Sequence, residues 1–363
     1  MIRRQLNLGL SICLTVTVVL ILNSCKHTNK SEHAKPHSST KAHPKITPLK
    51  SKDVDFDSLA DSIYFFNLDL MAKGKGDTVG FVSVSDIDAL PGSLDSPVDS
   101  VDRLVIPDLE NKTPEQTKYL LLTSKYRKRL LKGTGISDSD SLFVYDYAKD
   151  ILLSFPISSL KTVASLSGYE DASEAKHSAR DYQLGFQIDR TSLNGLSDNY
   201  FNKVFVYIGS SSPFARGQMH PVIWEKTDPK KVPAIALKPE DLKVLKGHKF
   251  GNAYHFESDG FRYYLQEYVM NNEFPSIAYR MLIMNEDNEV ISNYLDYESE
   301  SSSPAPISVL NDSKNILEQW TGHLLKNRPP VLVGFDYVEF GCDIIPFVDK
   351  SARYIRLNCD NRH

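Results

Sequence analysis

A chain of 363 residues that is 41% hydrophobic and rich in Phe and Tyr can bury a core of ordinary size, so a wholly disordered protein is excluded. The net charge of -4 is unevenly spread: residues 1–52 hold nine Lys or Arg and one acid, Glu32, so that of 42 basic and 46 acidic residues the remainder keeps 33 and 45. That acidic excess argues against nucleic acid as a partner, because phosphate binding needs a positive face.

Arg3 and Arg4 precede the run Leu6–Leu22, LNLGLSICLTVTVVLIL, and Leu22-Asn23-Ser24-Cys25 closes it. A basic start stays on the cytoplasmic side while an apolar run enters the bilayer. The segment resembles the signal peptide of bacterial lipoproteins, with Leu22–Cys25 in the place of the lipobox. The resemblance implies cleavage after residue 24, a diacylglycerol thioether on Cys25 and a further acyl chain, such as palmitate, on its freed amino group. Several chains hold a protein to a membrane almost permanently, whereas one is marginal. Lys26 stands where inner-membrane retention would call for Asp, so the outer membrane is the expected address, facing either the periplasm or the outside. The alternatives are plain secretion and a retained helix, for which the 17 residues of Leu6–Leu22 are the short limit. The resemblance covers residues 1–25 and implies nothing about the rest.

Residues 25–52 are basic, nearly free of apolar side chains before Ile46, and carry His27, His33, His37 and His43. Such a composition cannot pack a core and reads as a flexible tether. Histidine-rich tracts bind zinc or copper, but nothing fixes these side chains and neighbouring lysines repel a cation. No metal and no cofactor is assigned from the sequence.

The body is expected to be an α+β fold, β-rich, with antiparallel sheets and a few packed helices. It divides into parts at 53–190 and 191–363, or forms one continuous domain. Residues 53–72 carry both helical and extended character. Lys73–Asp77 reads as a turn, Thr78–Val84 as a strand and Arg103–Ile106 as a short one. Thr113-Pro114-Glu115-Gln116 has the cap, first-turn Pro and capping-box Gln of a helix start. One helix is predicted from there to about Lys132. Tyr119, Leu122, Tyr126 and Leu130 would form its buried stripe, with Lys125, Arg127, Lys128 and Arg129 in solvent and Gly133 as its stop. Gly135–Asp138 leading to Phe143–Tyr145 resembles Gly195–Asp198 leading to Phe205–Tyr207, a candidate duplication. Asp138 and Asp140 read as an acidic turn, without the ligand order of a calcium loop.

Further strands are predicted at Tyr182–Ile188, Lys203–Gly209, Val232–Leu237, Phe261–Val269, Val331–Phe335 and Arg353–Leu357. A hairpin is predicted between Ile277 and Leu295, with Asn285–Asn288 as its turn. Ile316, Leu317, Trp320, Leu324 and Leu325 recur at helical spacing, predicting a helix capped by Asp312 or Ser313 and ended by Arg328-Pro329-Pro330. Cys342 and Cys359 are expected to pair in an oxidising space, linking neighbouring strands or loops; free buried thiols are the alternative.

HExxH, GxSxG, GxGxxG and Walker patterns are absent from the sequence. His248 and His255 flank Gly251-Asn252 and could meet across a hairpin. Cys342 with His363 is a conceivable dyad that competes with the disulfide. The loop Gly209–Pro221 follows a good strand and carries Arg216 and His220, with Glu225 nearby, and is the candidate binding loop. The expected role is that of a lipid-anchored cell-envelope protein that binds or assembles without catalysis, its partners the membrane and an envelope protein or glycan. The alternative is a lipid-anchored hydrolase of an envelope or host polymer, which would bring Arg216, His220 and an acid into one cleft.

Overall fold

The computed structural model describes residues 63–74, 77–85, 106–107, 109, 112–170, 177–178, 181–197, 201–270, 277–311, 317–351 and 353–359. Cys25, the tether, residues 103–105, Asp312, Ser313, Ile316 and His363 lie outside them. Among the described residues, no helix is long and apolar enough to cross a membrane.

The chain runs through β1 (Tyr64–Phe66), β2 (Asp69–Gly74), β3 (Asp77–Ser83), helix α1 (Pro114–Thr117), β4 (Tyr119–Leu122), helix α2 (Lys125–Thr134), β5 (Ser141–Asp146), β6 (Ile151–Pro156), β7 (Lys161–Leu166), β8 (Tyr182–Ile188) and β9 (Val204–Gly209). Short β10 (Met219–Pro221), β11 (Glu225–Thr227) and helix α3 (Pro239–Val244) lead to four long strands, β12 (Lys249–Ser258), β13 (Phe261–Val269), β14 (Ile277–Asn285) and β15 (Val290–Tyr297). β16 (Ser302–Pro304), β17 (Trp320–Gly322), β18 (Val331–Val333), β19 (Asp336–Val338), β20 (Ile344–Pro346) and β21 (Tyr354–Asn358) follow. The fold is α+β, dominated by antiparallel sheet with a few short helices. Every described strand pair but β1–β21 is antiparallel.

A central sheet of six strands, β20-β21-β1-β9-β5-β6, takes strands from both sides of residue 190. Its strand β5 is buried on both faces, which is why LFVY reads as a continuous apolar run and not as an alternation. Leu142 and Val144 face one core with Val82, Phe186 and Ile188 of the flanking sheet β2-β3-β8-β7-β4. Phe143 and Tyr145 face a second core with Phe65, Phe205, Trp320, Val331 and Val333. Val331 and Val333 belong to the small sheet β10-β17-β18, whose Leu332 turns instead into a third core. That core is closed by Tyr263, Met281 and Ile283 of the meander β11-β12-β13-β14-β15. The layers therefore stack as flanking, central and small sheets and then the meander. Each large side chain so buried stabilises by about 1.5–3 kcal/mol before entropy is subtracted.

Polar ties cross the layers where they must. Thr321 donates to Val331 O at 2.9 Å and accepts from the Tyr263 hydroxyl at 3.2 Å, joining the small sheet to the meander. At Gly322 (φ +130°) a Cβ would lie 2.0 Å from Gln218 O, so β10 and β17 approach too closely for any side chain.

The two similar segments become neighbouring strands. β5 and β9 pair with Phe143 opposite Tyr207, Val144 opposite Val206 and Tyr145 opposite Phe205, a local two-fold about the valines. Each strand is reached from the flanking sheet through a helical segment, α2 for β5 and the turn Arg190–Leu193 for β9. The fully buried Asp146 carboxylate fastens the two segments together, accepting from the backbone of Ala148 and Lys149 at 3.0 Å and from the Ser197 hydroxyl at 2.6 Å.

Five local expectations are corrected. The single helix from residue 113 to 132 is broken: α1 ends at Thr117, β4 intervenes, and α2 stops at the left-handed Gly135 (φ +72°), not at Gly133. Leu120 and Leu122 are buried while Leu121 is exposed, a period of two, and β4 gains the edge of β7 as a hydrogen-bonding partner. An available sheet edge outweighs helical propensity. Arg127, expected in solvent, donates instead to Leu160 O and Ile157 O at 2.8 Å and holds α2 against the β6–β7 turn.

Trp320–Leu325 is likewise no helix. Trp320–Gly322 is a strand, while Leu324 and Leu325 are buried from extended chain that bridges to Phe214. Val232–Leu237 is irregular: Pro233 lacks a donor, and the carbonyls of Ile235 and Ala236 are taken by Arg280 and Asn293. Gly251-Asn252 lies inside β12 at a bulge and makes no turn, so His248 and His255 sit along one chain direction and do not face each other.

Cys342 and Cys359 are disulfide-bonded, with Cα atoms 5.5 Å apart, fastening the segment before β20 to the end of β21. This occupies the sulfur that a dyad with His363 would need. The bond closes a loop with a sequence separation of 17, so reduction is expected to cost about 2–4 kcal/mol. Urea unfolding with and without reductant measures this, and coincident curves would show that the bond constrains little.

Candidate functional site

The loop singled out from the sequence is a fastener. Arg216 donates to Asp150 O at 2.6 Å and pairs with the Asp150 carboxylate at 3.2 Å. Tyr145 sits beneath, donating to Asp150 at 3.2 Å and accepting from Gly217 N at 3.2 Å. Burial, first of all, pushes the Tyr145 phenol up to about 12, so it remains a donor throughout the neutral range. His220 is exposed on β10, its backbone opposite Thr321. Glu225 on β11 faces His255 on β12 at 3.6 Å. No hydrogen bond or ion pair of the described residues joins Arg216, His220 and Glu225.

A concave feature of the described residues lies elsewhere, on the outer face of the flanking sheet. A cleft of about 430 Å³ is lined by Asp69, Met71, Phe81, Lys118, Ser165 and Gln183, among others. The registers explain its chemistry. Asp69 opposes Phe81, Met71 opposes Val79, and Ser165 opposes Gln183, so side chains on these alternate positions face outward together. Met71 and Phe81 give it an apolar floor, packed against Val79 and Val163, and the remaining lining mixes apolar and polar side chains. Its size and mixed lining suit a small ligand or a side chain of a partner. Desolvation at the wall raises the Asp69 carboxyl above its ordinary range.

Glu170 lines this cleft and gathers with His177 and Asp181, one ligand-type atom from each lying within 4.8 Å of the others. They occur in sequence as one histidine between two acids, at separations of seven and four, and match none of the recognised metal motifs. The only legible signal was the mixture of residue types beside the β7–β8 connection.

A second surface is flat. Ile344, Arg356 and Tyr64 lie in one row across β20, β21 and β1, with Tyr354 two residues before Arg356 on the same face. Their opposite faces, Ile345, Ile355, Leu357 and Phe65, are buried in the second core. The Arg356 guanidinium lies 6.0 Å from the Tyr64 ring centroid and 5.8 Å from that of Tyr354, and donates to the Tyr64 hydroxyl at 3.3 Å. Tyr64, Tyr354 and Ile344 remain 42%, 40% and 52% exposed, which is high for large side chains on a rigid sheet. Exposed Tyr337, Phe340 and Val338 lie nearby in sequence, on and beyond β19.

Compared with protein-family models, with curated proteins and with solved structures, the chain matches none.

Proposed function

We propose that this is a lipid-anchored binding protein of the cell envelope, tethered through Cys25, whose body engages an envelope protein or glycan through the Tyr64–Arg356–Tyr354 face. The observation that carries the reading is the row of exposed aromatic, aliphatic and guanidinium groups backed by a buried core. Tyrosine and arginine are the side chains that most often anchor interfaces, and they combine apolar area with a polar tip. The cation–π contacts hold the face in one arrangement, so little side-chain freedom is lost on binding. A sugar ring can lie on such a face, as can an apolar residue of a partner. Residues 25–52 would give this face reach from the bilayer. The hydrolase alternative called for Arg216, His220 and an acid in one cleft, an arrangement the described residues do not provide.

The test has two arms. Cys25→Ser should move the chain out of the membrane fraction, with loss of acyl mass from the N-terminal peptide; unchanged fractionation counts against the anchor. The mature chain should retain purified cell-wall glycan or one reproducible envelope protein, and the double variant Tyr354→Ala, Arg356→Ala should bind about tenfold more weakly or worse. Its stability should change little, because both side chains are exposed. Equal retention would discard this face as the site. Turnover of the captured polymer that disappears in His220→Ala would discard the non-catalytic reading.

A further inference from the structure

We infer that Glu170, His177 and Asp181 form a binding site for a divalent transition metal of the zinc class at the end of the β7–β8 pair, with Glu170 reaching the flanking-sheet cleft. The donors are one imidazole nitrogen and two carboxylates, gathered within 4.8 Å of one another. Imidazole with carboxylate suits zinc and its neighbours, whereas calcium and magnesium prefer oxygen alone. The two negative charges would offset the charge of the ion.

A second, independent observation points the same way. Both ring nitrogens of His177 are shielded from solvent, and among the described residues no hydrogen bond reaches either. A polar atom withdrawn from water without a partner costs about 1–3 kcal/mol, and a ligated ion would satisfy one nitrogen. The two acids are also held in place by backbone hydrogen bonds. Ser167 N donates to Asp181 O at 2.8 Å and Glu170 N to Ser167 O at 3.1 Å, which brings both acids to one end of the β7–β8 pair. Ser178 N donates to one Asp181 oxygen at 2.5 Å, orienting that carboxylate. The His177 ring stands at 90° to Tyr182, with centroids 6.4 Å apart. Three protein ligands leave a coordination position open, and Glu170 also lines the cleft. An ion here would present that position to an anionic or carbonyl oxygen of whatever occupies the cleft. The site lies on a different sheet from the Tyr64–Arg356 face and does not depend on that reading.

The tether histidines would confound a titration, so the experiment uses the mature chain with His27, His33, His37 and His43 replaced by Gln. Titration with cobalt(II) should reach one equivalent with a visible absorption band, and zinc(II) should displace it. Glu170→Gln and His177→Ala should each weaken binding by about a hundredfold or more, since even outer-shell partners carry roughly 10–100-fold. Zinc(II) should raise the unfolding midpoint of the tether-substituted chain and leave that of its Glu170→Gln derivative unmoved, while the two unfold alike without metal. No one-equivalent binding, or binding equally tight in both variants, would overturn the site.

Discussion

Replacing Trp224 with alanine is expected to destabilise the body by about 3–5 kcal/mol. The side chain is fully buried, packed edge-on to Phe256 in the core between the small sheet and the meander. Its indole nitrogen donates to Gln319 Oε1 at 2.7 Å, and Gln319 is itself 4% exposed. The Trp224 backbone bonds to Ser308 O at 2.7 Å and accepts from Leu310 N at 2.9 Å, so one residue joins three separate segments. Trp224→Phe keeps much of the ring but leaves the buried Gln319 Oε1 without the indole donor, a loss of about 1–3 kcal/mol. Adding Gln319→Leu should recover part of that loss, because the orphaned group is then gone. Urea unfolding of the two single variants and the pair measures all three terms. A cost for Trp224→Ala below about 1 kcal/mol would mean that the indole does not join these layers.

The second large effect is a fall in stability as pH rises. The Asp296 carboxyl is pushed up to about 8, by desolvation first and then by its hydrogen bond and repulsion with the neighbouring Asp336. Tyr279 and Tyr294 face it from β14 and β15, and both phenols are raised, chiefly by burial. Asp343 is raised as well, by desolvation and by Asp336. The folded chain thus keeps a proton on Asp296 that the unfolded chain releases near 3.8. The stabilisation is complete below that value and is lost as pH climbs toward about 8, the reverse of the usual salt-bridged aspartate. Asp336 is exposed, so solvent screens the pair, and a loss of about 2 kcal/mol across the window is expected. Asp296→Asn should flatten the pH profile by that amount. Asp336→Asn should flatten it only in part, because desolvation of Asp296 persists. Unfolding measured at several pH values decides it: a variant profile parallel to the parent's would remove Asp296 from the account.

Much of the meander was readable in advance. Phe261–Val269 appears with the predicted bounds, and Asn285–Asn288 turns the hairpin between β14 and β15. Tyr182–Ile188 also matches, although it is buried almost throughout. These segments are long, with β-branched and aromatic residues between clear turn residues, so their state depends little on distant partners. Tyr119–Leu122 and Trp320–Gly322 failed for the opposite reason. Each is too short to declare its period, and each sits where apolar residues also recur at helical spacing. The partner strand decided them.

The candidate sites follow the same division. Arg216, His220 and Glu225 drew notice because they are close in the sequence, and folding sends them to separate contacts. Tyr64 and Arg356 are 292 positions apart and become cross-strand neighbours only when β21 pairs with β1. Glu170, His177 and Asp181 are near in sequence but carry no motif, and it is the end of the β7–β8 pair that gathers them.

By itself the sequence determined the β-rich α+β class, the long strands and their turns, and the cysteine pair that became the disulfide. Period, turn chemistry and cysteine content are properties of the local chain. The tertiary structure decided the layering of four sheets, the fate of the short ambiguous segments, and which side chains share a surface. Those depend on hydrogen-bond partners and buried contacts contributed from tens to hundreds of residues away, and no local pattern encodes them.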